Sequence, residues 1–352
     1  SVELFDTTFL KTNDELLRYK NHAGVMQFKK TEMTLEELVA DDPVVDLSHE
    51  LQKIISTFQP DIIAISSMTA TFDKACDLVR KVKHSAIVIA GGIHPSIAPD
   101  DAITQEPIDI VCFSEADYVF PELVNLMEIG ADYTNVKSMW FKLKNGKIKK
   151  NFVSPRVELD NLPAPDWSIF DKRHLFRPFE GKIYTGSFYQ QSRGCPMQCT
   201  YCVDPALSKM SEDGSPKGYF RVNDPSVTIK HIKELINKHG VDFIRFGDDT
   251  FFLPKIEHIQ ELHKGIKPLN IKFTCSLYHN TVSEEKIELA RDMGLVAVSV
   301  GIESGSPKVR KILRRNYTNE RITKNIEILT RLGLKVSTTN LIDKCMVIEK
   351  GA

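Results

Sequence analysis

Apolar residues along this chain fall into two rhythms. Short unbroken runs, Asp61-Ile-Ile-Ala-Ile-Ser-Ser67, Ala86-Ile-Val-Ile-Ala-Gly-Gly92 and Asp109-Ile-Val-Cys-Phe-Ser114, read as strands buried on both faces, as in a parallel sheet. Between them the spacing turns helical. Leu47, Leu51, Ile54, Ile55 and Phe58 share one face of a helix from Asp46 to Phe58 that Pro60 stops, and further helices are predicted over Phe72 to Val82 and Tyr118 to Met127. Strands alternating with helices imply a Rossmann-like, doubly wound α/β sheet. Ahead of it, Ser1 to Phe9 alternates as a strand does, and residues 14–39 form a polar stretch without readable chemistry.

The alternation resumes in the second half. A β-rich run from Ile183 to Gln190 is followed by strands over Asp242 to Phe246, Lys272 to Leu277, Val296 to Val300 and Lys335 to Thr339. Helices over Thr228 to Lys238, Lys255 to Lys264, Glu284 to Met293 and Asn319 to Leu332 separate them. Five such units predict a partial barrel whose working mouth lies at the strand carboxyl ends. Between the halves, Asn145-Gly146 predicts a hairpin with a type I′ turn, and Leu162-Pro-Ala-Pro-Asp-Trp167 a stiff linker. Lys144, Lys147, Lys149 and Lys150 read as the solvated face of that hairpin.

Composition narrows the function classes. A chain of 352 residues, 42% hydrophobic, has material for two or three cores. The formal net charge of −1 gives no overall basic field, so no nucleic acid is expected as a partner. There is no apolar run of about 20 residues, so no membrane span is expected. Seven cysteines, an odd number unevenly clustered, fit a reducing cytoplasm better than a disulfide framework. Neither a GxGxxG fingerprint nor a Walker loop is present, which argues against a dinucleotide or nucleoside triphosphate.

Three of the cysteines carry the chemistry. Cys195, Cys199 and Cys202 stand in Ser192-Arg-Gly-Cys-Pro-Met-Gln-Cys-Thr-Tyr-Cys-Val-Asp204, directly after the β-rich run. Thiolates so spaced grip a metal from one loop, and the bland reading is a partial zinc loop. A closed zinc site needs a fourth ligand, and neither a cysteine nor a paired histidine lies nearby; Cys275 sits in a strand pattern. A cubane held by three cysteines keeps one iron open. The motif, with Tyr201 just before its last cysteine, resembles the radical S-adenosylmethionine (SAM) superfamily. That resemblance implies a 4Fe-4S cluster on the three cysteines, SAM chelated to the open iron and Tyr201 near its adenine. Gly247-Asp-Asp-Thr-Phe251 resembles the element that meets the SAM amino group, bringing in Gly247, Asp248 and Asp249. Gly301-Ile-Glu-Ser-Gly305 resembles the ribose and carboxylate contact, bringing in Glu303 and Ser304, and Arg314 or Arg315 could supply a cation. The bland readings are a helix N-cap for the aspartates and a surface turn for Glu303.

The first half has its own resemblance. Its strands end in Ser66-Ser67-Met68-Thr69, Gly91-Gly92-Ile93-His94-Pro95 and Ser114-Glu115-Ala116-Asp117, where open sheets bind ligands. The trio resembles the cobalamin-binding domain that precedes many radical SAM domains, which implies cofactor contacts from Ser66, Ser67, Thr69, Gly91, Gly92, His94 and Glu115. The bland reading is plain turns and a loop histidine. The Asp-x-His-x-x-Gly loop that supplies an axial histidine in such domains is absent, and His22 and His49 lie in other surroundings. The resemblance implies a cobalamin-binding domain over residues 1–135, lacking its first strand, a hairpin and linker over 136–178, and a partial (β/α)6 radical SAM barrel over 179–342. An atypical tail follows over 343–352, so both ends are expected to be truncated.

The implied activity is reduction of SAM to methionine and a 5′-deoxyadenosyl radical, which takes hydrogen from an unactivated carbon, with cobalamin relaying a methyl group. The implied partners are a small-molecule, lipid or peptide substrate and an electron donor such as flavodoxin or ferredoxin. Three rivals stay open. An oxidoreductase or cyclase would use the same residues. A methylthiotransferase needs three more cysteines in the first half, where only Cys76 and Cys112 occur, both in buried patterns. The third is a fragment that binds cobalamin or an iron–sulfur cluster without turnover.

Overall fold

The computed structural model describes residues 1–10, 12, 43–211 and 214–341. The polar stretch 14–39, His22 and the tail 343–352 therefore lie outside the described residues. Two compact units emerge. The first runs up to Val157 and includes Ala206–Lys217; the second takes up Glu158–Pro205 and the chain from Gly218. That division falls inside the segment expected as hairpin and linker.

In the first unit α1 (Leu47–Phe58) starts where the Asp46 carboxylate accepts from the Ser48 and His49 N–H groups, at 2.8 and 3.0 Å. It ends at Gln59 in the left-handed region, just before Pro60. Then follow β1 (Ile62–Ser66), α2 (Thr69–Arg80), β2 (Ile87–Gly91), the short α3 (Ile93–Ile97) and α4 (Pro99–Thr104), β3 (Ile110–Cys112) and α5 (Val119–Glu128). The strands pair in parallel in the order β1-β2-β3, and the hairpin β4 (Met139–Lys142) and β5 (Ile148–Lys150) continues the sheet antiparallel. Cys76 and Cys112 are buried among Phe72, Val79 and Ala90 on one face and Leu123, Met139 and Phe141 on the other.

Two local expectations are corrected. Ser1 to Phe9 is no strand: among the described residues no strand pairs with it, and an alternating pattern without a hydrogen-bonding neighbour does not make a ladder. The hairpin turn is not type I′. Gly146 has φ +78° while Asn145 stays out of the positive region, and the Gly146 N–H closes onto the Leu143 carbonyl at 2.8 Å. Lys144 and Asn145 are thus the centre of the turn, and Gly146 takes the left-handed position that follows it.

The second unit has an antiparallel edge strand β6 (Phe176–Phe179), β7 (Lys182–Tyr189) and a ribbon of β8 (Ser192–Arg193) with β9 (Arg221–Val222); a one-turn helix α6 (Asp204–Leu207), at which the division between the units falls, precedes β9. The pattern then runs α7 (Pro225–His239), β10 (Phe243–Phe246), α8 (Ile256–Ile266), β11 (Lys272–Leu277), α9 (Glu284–Asp292), β12 (Leu295–Glu303), α10 (Pro307–Ile312), α11 (Asn319–Arg331) and β13 (Lys335–Asn340). Strands β7, β10, β11, β12 and β13 are neighbours in that order and all parallel, the five-unit partial barrel expected. One sheet face packs Ile244, Phe246, Phe273 and Val298 under helix residues Ile232, Leu262, Ile287 and Leu329. Each such side chain, fully buried, contributes about 1.5–3 kcal/mol. The other face holds the site. No helix among the described residues is long and apolar enough to cross a membrane.

Candidate active site

The chain enters the cysteine loop through Gly194 at φ +85°, where a Cβ would stand 2.6 Å from the Tyr219 carbonyl and 2.9 Å from its ring. Only glycine fits that turn. The loop is then pinned by the Thr200 N–H to the Leu313 carbonyl at 3.3 Å and closed by the Cys202 N–H to the Cys199 carbonyl at 3.2 Å. Cys195, Cys199 and Cys202 line one cavity of about 220 Å³ at the carboxyl ends of the strands, with Tyr201, Asp249, Tyr278, Glu303 and Arg315. Hydroxyls of Ser276, Ser299 and Thr339 complete its polar wall.

Charge in this cavity is organised around Arg315, which is 9% exposed. Its Nη2 donates to Glu303 Oε1 at 3.1 Å and the Gly301 carbonyl at 2.9 Å, its Nε donates to the Tyr317 hydroxyl at 2.9 Å, and its Nη1 reaches Cys199 Sγ at 3.6 Å. The guanidinium also lies over the Tyr278 ring, 4.8 Å from its centroid. Gly301 permits this: a Cβ there would meet Arg315 Nη2 and Glu303 Oε1, each at 2.3 Å. Glu303 itself adopts φ +64°, a strained conformation for a non-glycine residue, at a register shift in β12. Arg314 is exposed; of the two cations considered, Arg315 is the one in the cavity.

The two aspartates part company. Asp249 lines the cavity, and its carboxyl is pushed up to about 6 by burial and the neighbouring Asp204 carboxylate. Asp248 turns away and is 2% exposed. It accepts from the Ser192 hydroxyl and from the backbone N–H groups of Gln191 and Ser192, while Oδ2 has no partner; burial pushes it up to about 7. Asp248 thus ties the end of β10 to the strand entering the cysteine loop. Gly247 lies under Phe188, whose ring would stand 1.8 Å from a Cβ. Ser304 does not line the cavity; its carbonyl accepts from Arg310 at 2.6 Å and its hydroxyl from the Ser306 N–H at 3.1 Å.

In the first unit Gly92 has φ +96°, and a Cβ there would meet the Ser67 N and O at 2.7 Å, so the first two strand-end loops pack backbone to backbone. The Ser96 hydroxyl accepts from the Ser114 N–H at 3.0 Å and links in the third. Ser66 and Thr69 are exposed and Gly91 half-buried, while Ser67 Oγ is buried without a partner. His94 is spent internally: Nε2 meets Asp101 Oδ2 at 3.0 Å, Nδ1 meets Thr69 Oγ1 at 3.3 Å, and the ring packs on Phe72 at 4.4 Å. Glu115 accepts from the Val157 N–H at 2.9 Å.

Sequence reasoning passed over Tyr278, Tyr317, Thr250 and Asp204. The first two follow β11 and α10 and signal themselves only through the Arg315 contacts. Asp204 stands two residues after Cys202 and accepts from the Tyr219 hydroxyl at 2.7 Å, a position the motif itself could have flagged.

The donor set fits an iron–sulfur cluster. Three soft sulfurs share one cavity, and among the described residues the other cysteines, Cys76, Cys112 and Cys275, are buried elsewhere. Burial pushes Cys195 up to about 12, and partial desolvation pushes the more exposed Cys202 up to about 11, so a bound metal must supply the charge that stabilises the thiolates. Among the described residues no three such side chains already stand at coordinating distance. The first unit fits a large flat cofactor: Met68, Ile93, Ile97 and Tyr118 are exposed beyond the three strand ends, beside the orphaned Ser67 hydroxyl.

Comparison with known proteins agrees with both halves. Residues 189–343 match the radical SAM superfamily and residues 23–124 match the B12 binding domain. The chain belongs to the radical SAM proteins that carry a cobalamin-binding domain, whose cofactors are a 4Fe-4S cluster, SAM and cobalamin. It is similar to the uncharacterized methyltransferase PH0819 of Pyrococcus horikoshii, 27% identical over 81% of this chain and 61% of the relative. It is also similar to the anaerobic magnesium-protoporphyrin IX monomethyl ester cyclase of Rubrivivax gelatinosus, 26% identical over 82% of this chain and 52% of the relative. In fold it resembles the cobalamin-dependent S-adenosylmethionine radical enzyme OxsB, with a TM-score of 0.66 at 18% identity, covering 87% of this chain and 45% of that one. The chain thus spans about half to three-fifths of these proteins.

Proposed function

We propose that this chain catalyses radical-dependent methyl transfer to an unactivated carbon of a small-molecule substrate. The observation that carries this reading is the single cavity shared by Cys195, Cys199, Cys202, Tyr201, Asp249, Glu303 and Arg315 at the mouth of five parallel strands. When bound, the cluster supplies one electron for the cleavage of SAM, and cobalamin supplies a carrier for the methyl group. The three cysteines hold the cluster. Arg315 sets a positive charge beside Cys199 and fixes the Glu303 carboxylate, which stands ready for hydroxyl donors, while Asp249 offers an acceptor for an ammonium. The hydrogen-bonded wall around Arg315 keeps these groups in place before a substrate arrives. Cobalamin contacts are assigned to Ser66, Ser67, Gly91 and Gly92, with Met68 and Tyr118 added. His94, Thr69 and Glu115 would serve by shaping the loops, since both ring nitrogens of His94 are engaged by Thr69 and Asp101.

A cytoplasmic setting and a flavodoxin- or ferredoxin-type donor belong to the same reading, since the cluster needs reducing conditions. A second reading, cyclisation without net methyl transfer, draws on the similarity to a cyclase.

The test is anaerobic reconstitution with iron, sulfide and hydroxocobalamin, then reaction with methyl-labelled SAM and dithionite. About four irons per chain, lost in Cys195→Ala/Cys199→Ala/Cys202→Ala, are expected with 5′-deoxyadenosine and labelled methylcobalamin as products. Iron loading without SAM cleavage would reject the enzymatic reading. Cleavage without label on cobalt would favour the cyclase.

A further inference from the structure

The concave face of the second sheet carries charged groups that the cluster and SAM leave unused. Arg177 on β6 stands opposite Tyr184, Phe188 on β7 is opposite Arg245 on β10, and Arg245 is opposite Thr274 on β11. Paired residues project to the same face, and Ser276, two positions beyond Thr274, lines the cysteine cavity. The arginines therefore share the cavity's face, one layer nearer the strands' amino ends.

This arrangement needs a particular residue. A Cβ at Gly186 would stand 2.1 Å from Arg177 Cγ and 2.8 Å from its Cβ. The bare glycine lets the arginine stem lie across β7, from the edge strand toward β10. There burial, and then the charge of Arg245, push the Arg177 guanidinium below its ordinary value. Arg177 Nη1 donates to the neighbouring Phe176 carbonyl at 2.9 Å, and among the described residues the Arg245 side chain has no hydrogen-bond or ion-pair partner. The other charges on this face are engaged: Lys272 donates to the Tyr184 hydroxyl at 2.8 Å, and Lys335 pairs with Glu180 at 3.8 Å. Below the pair lies an apolar floor of Phe179, Phe243 and Ala297; above it is the half-exposed ring of Phe188.

Arg177 is half-buried and Arg245 exposed, and two like charges brought toward each other across the bare Gly186 repel each other and attract a counter-anion. Their planar forks match a carboxylate or phosphate bidentately. We infer that Arg177 and Arg245 form an oxyanion subsite that holds a carboxylate or phosphate of the substrate beneath the cysteine cavity. This names the substrate class and rests on reading that cavity as the reaction chamber.

The experiment uses the full chain with its cluster reconstituted, and titrates inorganic phosphate and benzoate at low ionic strength by calorimetry. Wild type should bind at least one of them. Arg177→Gln and Arg245→Gln should each weaken that binding by about tenfold or more, while Lys335→Gln stays within about twofold. The probe that binds tells phosphate from carboxylate as the natural group. A melting scan separates this from a structural role: the glutamine variants should melt at or above the wild-type temperature because repulsion is relieved, whereas structural arginines would lower it. Arg177→Lys and Arg245→Lys repeat the test with charge kept and the bidentate fork removed. Binding unchanged in all arginine variants, no binding by wild type, or a lowered melting temperature in the glutamine variants overturns the subsite. SAM cleavage, measured on the same samples, keeps the two readings apart. Arginine-dependent binding in a protein that never cleaves SAM would leave the subsite standing and remove the radical reaction.

Discussion

Asp248 shows how a residue can belong to a site without facing it. Sequence alone could not divide the Asp248-Asp249 pair, because adjacent carboxylates carry no mark of which one points inward. In the fold Asp249 reaches the cavity and Asp248 holds the strand that feeds the cysteine loop. Burial pushes Asp248 up to about 7 from an ordinary 3.8. Below about pH 4 the carboxyl is protonated in both folded and unfolded chains, and no cost arises. As pH rises toward 7 the unfolded chain gives up its proton first, so stability falls across that window by about 4 kcal/mol. Urea unfolding of wild type and Asp248→Asn between pH 4 and 8 checks this. The wild-type midpoint should fall with pH while the variant, whose amide still accepts from Ser192, gives a flatter profile. A parallel slope in both would assign the effect to other groups.

At the scale of elements, one ammonium adds to the bonds that Phe251 and Thr250 make to Ser276 and Tyr278 in holding the loop after β10. Lys286 on α9 donates to the carbonyls of Phe252, Pro254 and Thr281 at 2.8, 2.7 and 3.2 Å. Lys286→Met keeps the stem and strands three acceptors, so we expect a loss of about 2–4 kcal/mol in denaturant titration. A weaker apparent affinity for SAM should accompany it, since Asp249 and Thr250 ride on that loop. The sequence exposed the strands because burial on both faces leaves unbroken apolar runs; β1, β2 and β11 emerged within a residue or so of expectation. Capping decided what was missed. Asp224 and Pro225 start α7 three residues before the expected Thr228, and α3 and α4 follow Gly91-Gly92 and contain Pro95 and Pro99, so the stretch reads as a turn. The cysteine motif was visible because its ligands are neighbours in sequence. Arg315, Glu303 and Cys199, or Arg177 and Arg245, meet only through register, which no local pattern records.

At the scale of the molecule, each unit has its own core, and each carries one of the two proposed cofactor sites, so occupancy of the two should be separable. The cysteines, Arg315 and Glu303 all belong to the second unit, and the strand-end loops with Met68 and Tyr118 to the first. Loss of the three thiolates removes iron ligands and leaves the Gly92 and Ser67 packing untouched. The triple cysteine-to-alanine variant should therefore lose iron and still bind about one cobalamin per chain. Conversely, Met68→Glu/Tyr118→Glu places two charges at exposed positions, 61% and 47% accessible, where they need not disturb the fold but would be desolvated by a large cofactor lying over them. That variant should lose cobalt by at least about tenfold in affinity while retaining iron and cleaving SAM in the presence of dithionite. Metal analysis and ultraviolet-visible spectra of both variants, reconstituted side by side, read the outcome directly. If either substitution removed both metals from a folded protein, cofactor binding would be a property of the whole chain, and its division between two independent units would have to be abandoned.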